Sequence, residues 1–287
     1  MDPLRRFASI LKFTLYVGCL LAVTAIIPLM QEATNRADLA GLTQTCFYAT
    51  RVGEHRTVSL LDGTKVDLNT NTRIRCAFSN KSRNVEVWGE AHFTVNSADP
   101  RPFQVLGGES VTRDLSTSFD VFRKAHSTLI TVTGGSVKVA APIGAEARAK
   151  FREAAADGIP WQTAPEIHRL QQVEVFDSTG VLRRHPDLDE DQLVQLLAWS
   201  EGWIDLNGRT LNEALADFPR YMPNHEFIVK DTQLRGLKLD GSMKFNQLSD
   251  FLAALHREFA VEATIIERSD GVTVVTLSRA KKTVVAR

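Results

Sequence analysis

Few residues in this sequence could do chemistry, and most of them lie far apart. The seven histidines are scattered, and His168 and His185 are the closest pair. No helix or hairpin therefore presents two imidazoles to one metal ion. The sequence also contains no G-x-S-x-G nucleophile motif, no Walker loop and no G-x-G-x-x-G fingerprint. We expect a protein that is not an enzyme and that holds neither a metal nor a cofactor.

One acidic cluster resembles a calcium site at first sight: Asp187, Asp189, Glu190 and Asp191. Counted from Asp187, the sixth position is Gln192 and the twelfth is Ala198, where an EF-hand loop needs glycine and a bidentate glutamate. The pattern instead predicts a helix that starts at Asp189. Its side chain would cap the helix together with Gln192, three residues further on.

The three cysteines have different surroundings in the sequence. Cys19 lies in an apolar run, where a packing or lipid-facing role is expected. Cys46 and Cys76 would lie in an oxidising compartment if the chain crosses a membrane. A disulfide between them and two buried free thiols are both compatible with the sequence, which does not give their Cα separation.

The run from Phe13 to Met30 carries no charge. As a helix it would be about 27 Å long at ~1.5 Å per residue, close to the roughly 30 Å hydrocarbon core of a bilayer. Basic residues precede it and acidic ones follow, which places the N-terminus in the cytoplasm and the rest of the chain across the membrane. We expect an uncleaved single-pass anchor; a cleaved signal peptide is the alternative.

The charge and the composition of the chain limit the kinds of partner that we expect. The 34 basic and 34 acidic residues cancel, so no net field attracts nucleic acid, and we expect no nucleic-acid partner. The length of 287 residues and the apolar content of 44% suit two packed domains.

Alternating apolar residues define the first domain. Ile74, Cys76 and Phe78 share one face of a strand, and similar short strands fill 46–142 with turn signals between them. The pattern predicts a mainly antiparallel β domain, either a sandwich or a coil of short strands. It should follow a stub (1–12), the membrane helix (13–30) and a linker (31–45).

In the second half of the chain the spacing of the apolar residues changes. Residues 143–192 read as a connector with a helix over Ala145–Ala156 and a short strand over Gln172–Phe176. From 193 to 280 strands and amphipathic helices alternate, with a tail over 281–287. We predict two strand–helix–strand units, with the first helix ending near Phe218 because Pro219 follows. A strand over Leu237–Leu239 and a helix cap at Asn246 complete the predicted module.

Several segments in order resemble the FecR family of transmembrane sigma-factor regulators. They are Leu61–Thr64, Asp67–Asn69, Arg83, Gly89–Ala91 with Phe93 and Val95, Arg101–Phe103 with Val105, Ser116–Val121 and Thr131–Gly134 with Val137. Trp199, Gly202, Leu211, Arg220 and Tyr221 resemble the C-terminal part of the family, which is similar to the short signalling module of secretins and TonB-dependent receptors.

The resemblance implies a function in signal relay across the bacterial inner membrane. The periplasmic part would bind the signalling domain of a TonB-dependent outer-membrane receptor, and the cytoplasmic part would control an extracytoplasmic-function sigma factor. The lipid bilayer is the third implied partner. Trp203, Leu211, Arg220 and Tyr221 are the candidate contacts for the receptor, although each could equally be structural. The alternative is an anchored periplasmic binding or structural protein without sigma-factor control.

Two departures from the family change the expectations. Only about a dozen residues precede the membrane run, too few to bury a core, so a folded sigma-binding domain is not expected in the stub. Some members of the family cleave themselves before a threonine that follows glycine. Thr117 could supply that nucleophile, but Ser116 stands where glycine is common and resists unusual backbone angles. We therefore expect little or no self-cleavage.

Overall fold

A computed structural model describes residues 43–114, 117–141, 143–153, 159, 161–245 and 247–280. The predicted membrane helix at 13–30, the stub and most of the linker lie outside these ranges. Within them, no helix is both long and apolar enough to cross a bilayer. The residues from Thr45 onward belong to one compact unit.

Two seven-stranded sheets form most of this unit. The first contains, in spatial order, β1 (Gln44–Ala49), β4 (Arg73–Phe78), β5 (Arg83–Trp88), β7 (Phe103–Gly107), β8 (Ser110–Asp114), β11 (Ser136–Ala140) and β12 (Glu166–His168). The second contains β14 (Leu182–Arg184), β13 (Gln172–Phe176), β10 (Ser127–Gly134), β9 (Ser118–Arg123), β6 (Glu90–Thr94), β3 (Lys65–Leu68) and β2 (Arg56–Ser59). The paired strands are antiparallel except β5 and β7.

Both sheets bury one face in a common apolar core. Ile74 and Phe103 from the first sheet join Phe93 and Phe119 from the second, and all four are fully buried. The rings of Phe93 and Phe119 stack with their centroids 5.4 Å apart. The period-two pattern of the sequence follows from this burial. The mainly antiparallel β prediction is confirmed, and the two sheets with one core identify a sandwich rather than a coil.

The segment predicted as a connector also contributes strands to both sheets. After helix α1 (Gly144–Arg152), which covers part of the first sheet through the buried Phe151, the chain supplies β12, β13 and β14 to the two sheets. Strands this short carry too few apolar residues for periodicity to show which sheet they join. The helix predicted over Ala145–Ala156 ends at Arg152, and residues 154–158 lie outside the described ranges.

A capped helix leads out of the sandwich. Helix α2 (Glu190–Leu197) begins at Asp189, whose side chain accepts a hydrogen bond from the backbone N–H of Gln192. The Gln192 side chain accepts one from the backbone of Asp189 in return, so the predicted capping box is confirmed. A 3₁₀ turn over Ala198–Glu201 then ends at Gly202, which adopts a φ of +82°.

The C-terminal module contains two strand–helix–strand units with a common apolar core. Its elements are β15 (Trp203–Asp205), α3 (Leu211–Tyr221), β16 (His225–Val229), α4 (Thr232–Arg235), β17 (Ser242–Lys244), α5 (Leu248–Phe259), β18 (Val261–Glu267) and β19 (Thr273–Arg279). β15 pairs with β17, and β19 lies between β16 and β18, parallel to the former and antiparallel to the latter.

Three local predictions for this module are wrong. Helix α3 continues past Pro219 to Tyr221, because its last turn is held by the contact of Arg220 with Glu90 and by the stacking of Tyr221 on Phe245. Leu237–Leu239 forms only an isolated bridge to the residues around Thr210. The cap of α5 is Gln247, which makes no side-chain capping bond, while Asn246 lies outside the described ranges.

A disulfide joins Cys46 on β1 to Cys76 on β4, with the Cα atoms 4.8 Å apart. The two strands are neighbours in the first sheet, so the bond fastens the edge strand β1 to a fully buried position. Of the two alternatives left open by the sequence, the structure has the disulfide.

Reduction of this bond should destabilise the protein. The bond closes a loop with a sequence separation of 30, for which loop-closure entropy corresponds to about 3.6 kcal/mol. Urea unfolding of the full chain with and without a phosphine reductant measures the loss. A Cys19→Ser variant should lose the same amount. Alkylation of all three cysteines in the unreduced, denatured protein would contradict the assignment.

Candidate functional site

A buried ion pair joins the sandwich to the C-terminal module. Nη2 of Arg220, on α3, lies 2.5 Å from Oε2 of Glu90, at the start of β6. The Glu90 side chain is 7% exposed and that of Arg220 is 31% exposed, so the carboxylate depends on its partner for the charge that water would otherwise solvate.

The backbone holds Glu90 in place. Its N–H donates to Oγ1 of Thr72, and its carbonyl accepts from the N–H of Asn69. Gly89 precedes it with a φ of +100°, and a Cβ there would lie 2.8 Å from Cα of Thr72. Only glycine satisfies both conditions, which accounts for the Gly-Glu pair at this position.

Asn69 extends the ion pair into a network. Its Nδ2 donates to Oε2 of Glu90 at 2.5 Å and lies 3.3 Å from the hydroxyl of Tyr221. The Tyr221 ring stacks on Phe245 of the module with centroids 4.1 Å apart. One more bond crosses the joint, from Oγ1 of Thr70 to the carbonyl of Arg220 at 3.2 Å. We call the contact region between the sandwich and the module the joint; it consists of Asn69, Thr70, Glu90, Asp120, Phe122, Arg220, Tyr221 and Phe245.

Asp120 and Phe122 face the joint from β9. The Arg220 guanidinium lies over the Phe122 ring, 4.2 Å from its centroid. Asp120 is 2% exposed, and its Oδ1 has no hydrogen-bond partner among the described residues. Burial and the nearby charge of Glu90 raise the pKa of Asp120 well above its usual value, although Arg220 opposes the shift. Burial likewise raises the pKa of Tyr221 to about 12.

A cavity of about 310 Å³ opens beside the joint. Its lining includes Trp203, Arg220 and Tyr221, three of the four predicted partner contacts, together with Glu90. Trp203 is half-buried, and Nζ of Lys244 lies 5.1 Å from its ring centroid. The structure thus brings together residues that are distant in sequence, at the boundary between sandwich and module.

The predicted exposed contacts need correction. Leu211 is fully buried in the module core, where it cannot meet a partner. Arg220 and Tyr221 make their main contacts within the chain. The predicted contacts did not include Asn69, Glu90 and Asp120, although all three belong to segments that carry the family resemblance. A signal existed for one of them, since Asp120 stands between the apolar Phe119 and Val121.

Thr117 occupies a buried position just before β9. Its hydroxyl donates to the carboxylate of Asp114, and its carbonyl accepts from the N–H of Val95 at 3.2 Å. Ser116 lies outside the described ranges, so the expected lack of self-cleavage stays a prediction.

The titratable groups of the described ranges do not form a metal centre. Over those ranges no group of three or more His, Cys, Asp or Glu side chains is arranged to hold an ion.

Comparisons with known proteins agree on the architecture. Residues 47–138 match the family model for the FecR protein. Two crystal structures, each of a candidate anti-sigma factor from Parabacteroides distasonis ATCC 8503, are similar in fold. Their TM-scores are 0.53 and 0.52 at 22% and 21% identity, and the matches cover 82% and 83% of this chain and 100% of each of theirs. No curated protein matches significantly.

Removal of the Arg220 cation from the joint should lower the free energy of unfolding. Arg220→Gln leaves Glu90 buried without its partner, and we expect a loss of about 2–3 kcal/mol, less than for a fully buried pair because Arg220 is partly exposed. Arg268→Gln is the control on the same module, since the half-exposed Arg268 pairs with the half-exposed Glu226 and Asp270 and its loss should destabilise by less than about 1 kcal/mol. Urea unfolding measures both; equal losses would contradict the role of the joint.

Asp120 should make stability depend on pH. Its raised pKa means that the folded state holds a proton more tightly than the unfolded state. That contribution is fully present below about 3.8, the usual value, and is lost as the pH rises through the raised pKa. Asp120→Asn should remove this loss, so its stability relative to the natural protein should increase with pH. Unfolding free energies at a series of pH values check this; parallel curves would contradict it.

Proposed function

We propose, from the match of residues 47–138 to the FecR protein family, that this protein is a sigma-factor regulator of the bacterial inner membrane. In this proposal a single helix at 13–30 anchors the chain, and the sandwich and module lie in the periplasm. The module receives a signal from a TonB-dependent outer-membrane receptor, and the chain passes it to an extracytoplasmic-function sigma factor. The family match carries the proposal, and the name given to the structural neighbours agrees with it.

The joint supports a relay between the two folded parts. A signal passes only if partner binding has different free energies in two states of the regulator. Glu90, Asn69 and Arg220 connect module and sandwich through short polar contacts. A partner that moves α3 must either move β6 with it or break these contacts. The joint therefore provides a mechanical connection from the module to the sandwich.

The edge strand β18 is the docking surface that suits such a receptor domain. Among the described strands it pairs on one side only, with β19, and all its residues except Val261 are exposed. Ile265 and Ile266 are each 56% exposed. Unpaired backbone groups beside exposed aliphatic side chains are the features used in β-strand addition.

Binding of a receptor's N-terminal signalling domain to the full chain tests the proposal. The probe is the signalling domain of a TonB-dependent receptor from the same genome, measured by calorimetry. Ile266→Lys places a charge in the contact and should weaken binding at least ~10-fold, or about 1.4 kcal/mol. Val181→Lys is the control, because Val181 is equally exposed at 56% but lies in the sandwich. Arg220→Gln should keep binding yet lose transcription from a sigma-dependent reporter.

The outcomes separate the two candidate functions. No binding to any signalling domain of the genome would contradict the relay and favour the anchored binding or structural protein. Binding with no effect of any variant on the reporter would keep the receptor contact and reject the connection to the sigma factor.

A further inference from the structure

Two cations face each other across the first sheet. Arg113 on β8 and Lys138 on β11 are directly opposite in the antiparallel register, so their side chains leave the same face of the sheet. Like charges in this arrangement repel each other. The other neighbour of Lys138 in the register is Glu166, but its carboxylate accepts from Oγ of Ser136. Among the described residues no carboxylate lies within ion-pairing distance of Arg113 or Lys138.

A cavity of about 460 Å³ lies in front of this pair. Arg83, Arg101, Arg113 and Lys138 contribute four cations to its lining, against the two carboxylates of Asp99 and Asp114. Its volume falls in the range of small-molecule sites, roughly 300–1,000 Å³. The lining therefore has an excess of positive charge in a concave space, although the whole chain is neutral.

The two carboxylates of the lining already accept hydrogen bonds from other residues of the chain. Asp99 accepts from Nε and Nη2 of Arg101, which lowers the pKa of Asp99 to about 2. Asp114 accepts from the hydroxyl of Thr117. Neither is directed at Arg113 or Lys138, so the repulsion between these two cations is not relieved from within the cavity.

The remaining two cations are structural. Arg83 is held by Asp62 and by the backbone carbonyls of Asn96 and Arg101. Arg101 donates to Asp99 and to the carbonyl of Ser79. Arg113 and Lys138 are thus the pair with hydrogen-bonding capacity left for a ligand.

Trp161 forms one wall beside the pair. The Arg113 guanidinium lies over its ring, 5.4 Å from the centroid, and Nζ of Lys138 donates to its carbonyl at 3.3 Å. These contacts leave donors unused on both cations, because a guanidinium has five N–H groups and an ammonium has three. A guanidinium fixed against an aromatic ring is also preorganised to bind an oxyanion.

We propose that this cavity is a binding site for a small anionic ligand, whose carboxylate or phosphate group is held between Arg113 and Lys138. The ligand replaces a like-charge contact by two charge-assisted hydrogen bonds. This site is separate from the joint, which belongs to the other sheet and its contact with the module.

Calorimetry and thermal unfolding of the full chain in mild detergent test the site. The probes are inorganic phosphate and glucuronate, with sodium chloride at matched ionic strength and uncharged glucose as references. At least one of the two anions should bind saturably and raise the unfolding temperature. Arg113→Gln and Lys138→Gln should each weaken that binding at least 10-fold, while Arg113→Lys should retain part of it. Arg56→Gln, on the exposed edge strand of the other sheet, should change nothing.

Each outcome decides the proposal. Binding of phosphate alone or of glucuronate alone supports it and identifies the recognised group. It is overturned if neither anion binds, if glucose binds as well as glucuronate, or if Arg56→Gln weakens binding as much as Arg113→Gln. Should one glutamine variant fail to fold, the other and Arg113→Lys still decide between these results.

Discussion

The buried carboxylate of Glu90 is the constraint on which the arrangement of the two folded parts depends. A carboxylate in this position must have a cation and a hydrogen-bond donor, and the chain supplies them from two segments far apart in the sequence. Asn69 comes from the turn after β3 and Arg220 from the end of α3, while Thr72, in the same turn as Asn69, accepts from the backbone N–H of Glu90. The module must therefore dock where Arg220, in the last turn of α3, can reach Glu90 on β6.

Such a contact contributes more to specificity than to net stability. Desolvation of two charges offsets most of their attraction, while loss of one partner leaves an uncompensated charge. The joint contains a second carboxyl group, that of Asp120, and burial together with the nearby charge of Glu90 makes ionisation of Asp120 less favourable. Within the described ranges Arg220 pairs with Glu90 alone, while the buried Asp120 beside them has a raised pKa, which favours its neutral form. An apolar joint of the same area would tolerate sliding, whereas this one does not.

The strands and the capped helix could be read from the sequence because their signals are local. The alternation of Ile74, Cys76 and Phe78 reports burial of one strand face, and Asp189 with Gln192 reports a helix start. Predictions failed where distant contacts decided the outcome. Proline at 219 predicts the end of a helix, yet packing of Tyr221 against Phe245 keeps the last turn helical. The short strands β12 and β14 were not predicted either; β12 pairs with β11 across the segment that contains α1. Strand β13 was predicted with its observed bounds, Gln172–Phe176.

The candidate site shows the same limit in a different form. Arg220 and Tyr221 have the properties of interface residues, because both combine a large contact area with directional polar groups. Those properties do not tell whether the interface lies between two chains or within one. Glu90 and Arg220 are 130 residues apart, and no pattern of spacing reports a pair at that distance. Their contact with a partner protein stays a prediction, and the fold shows contacts of Arg220 and Tyr221 within the chain.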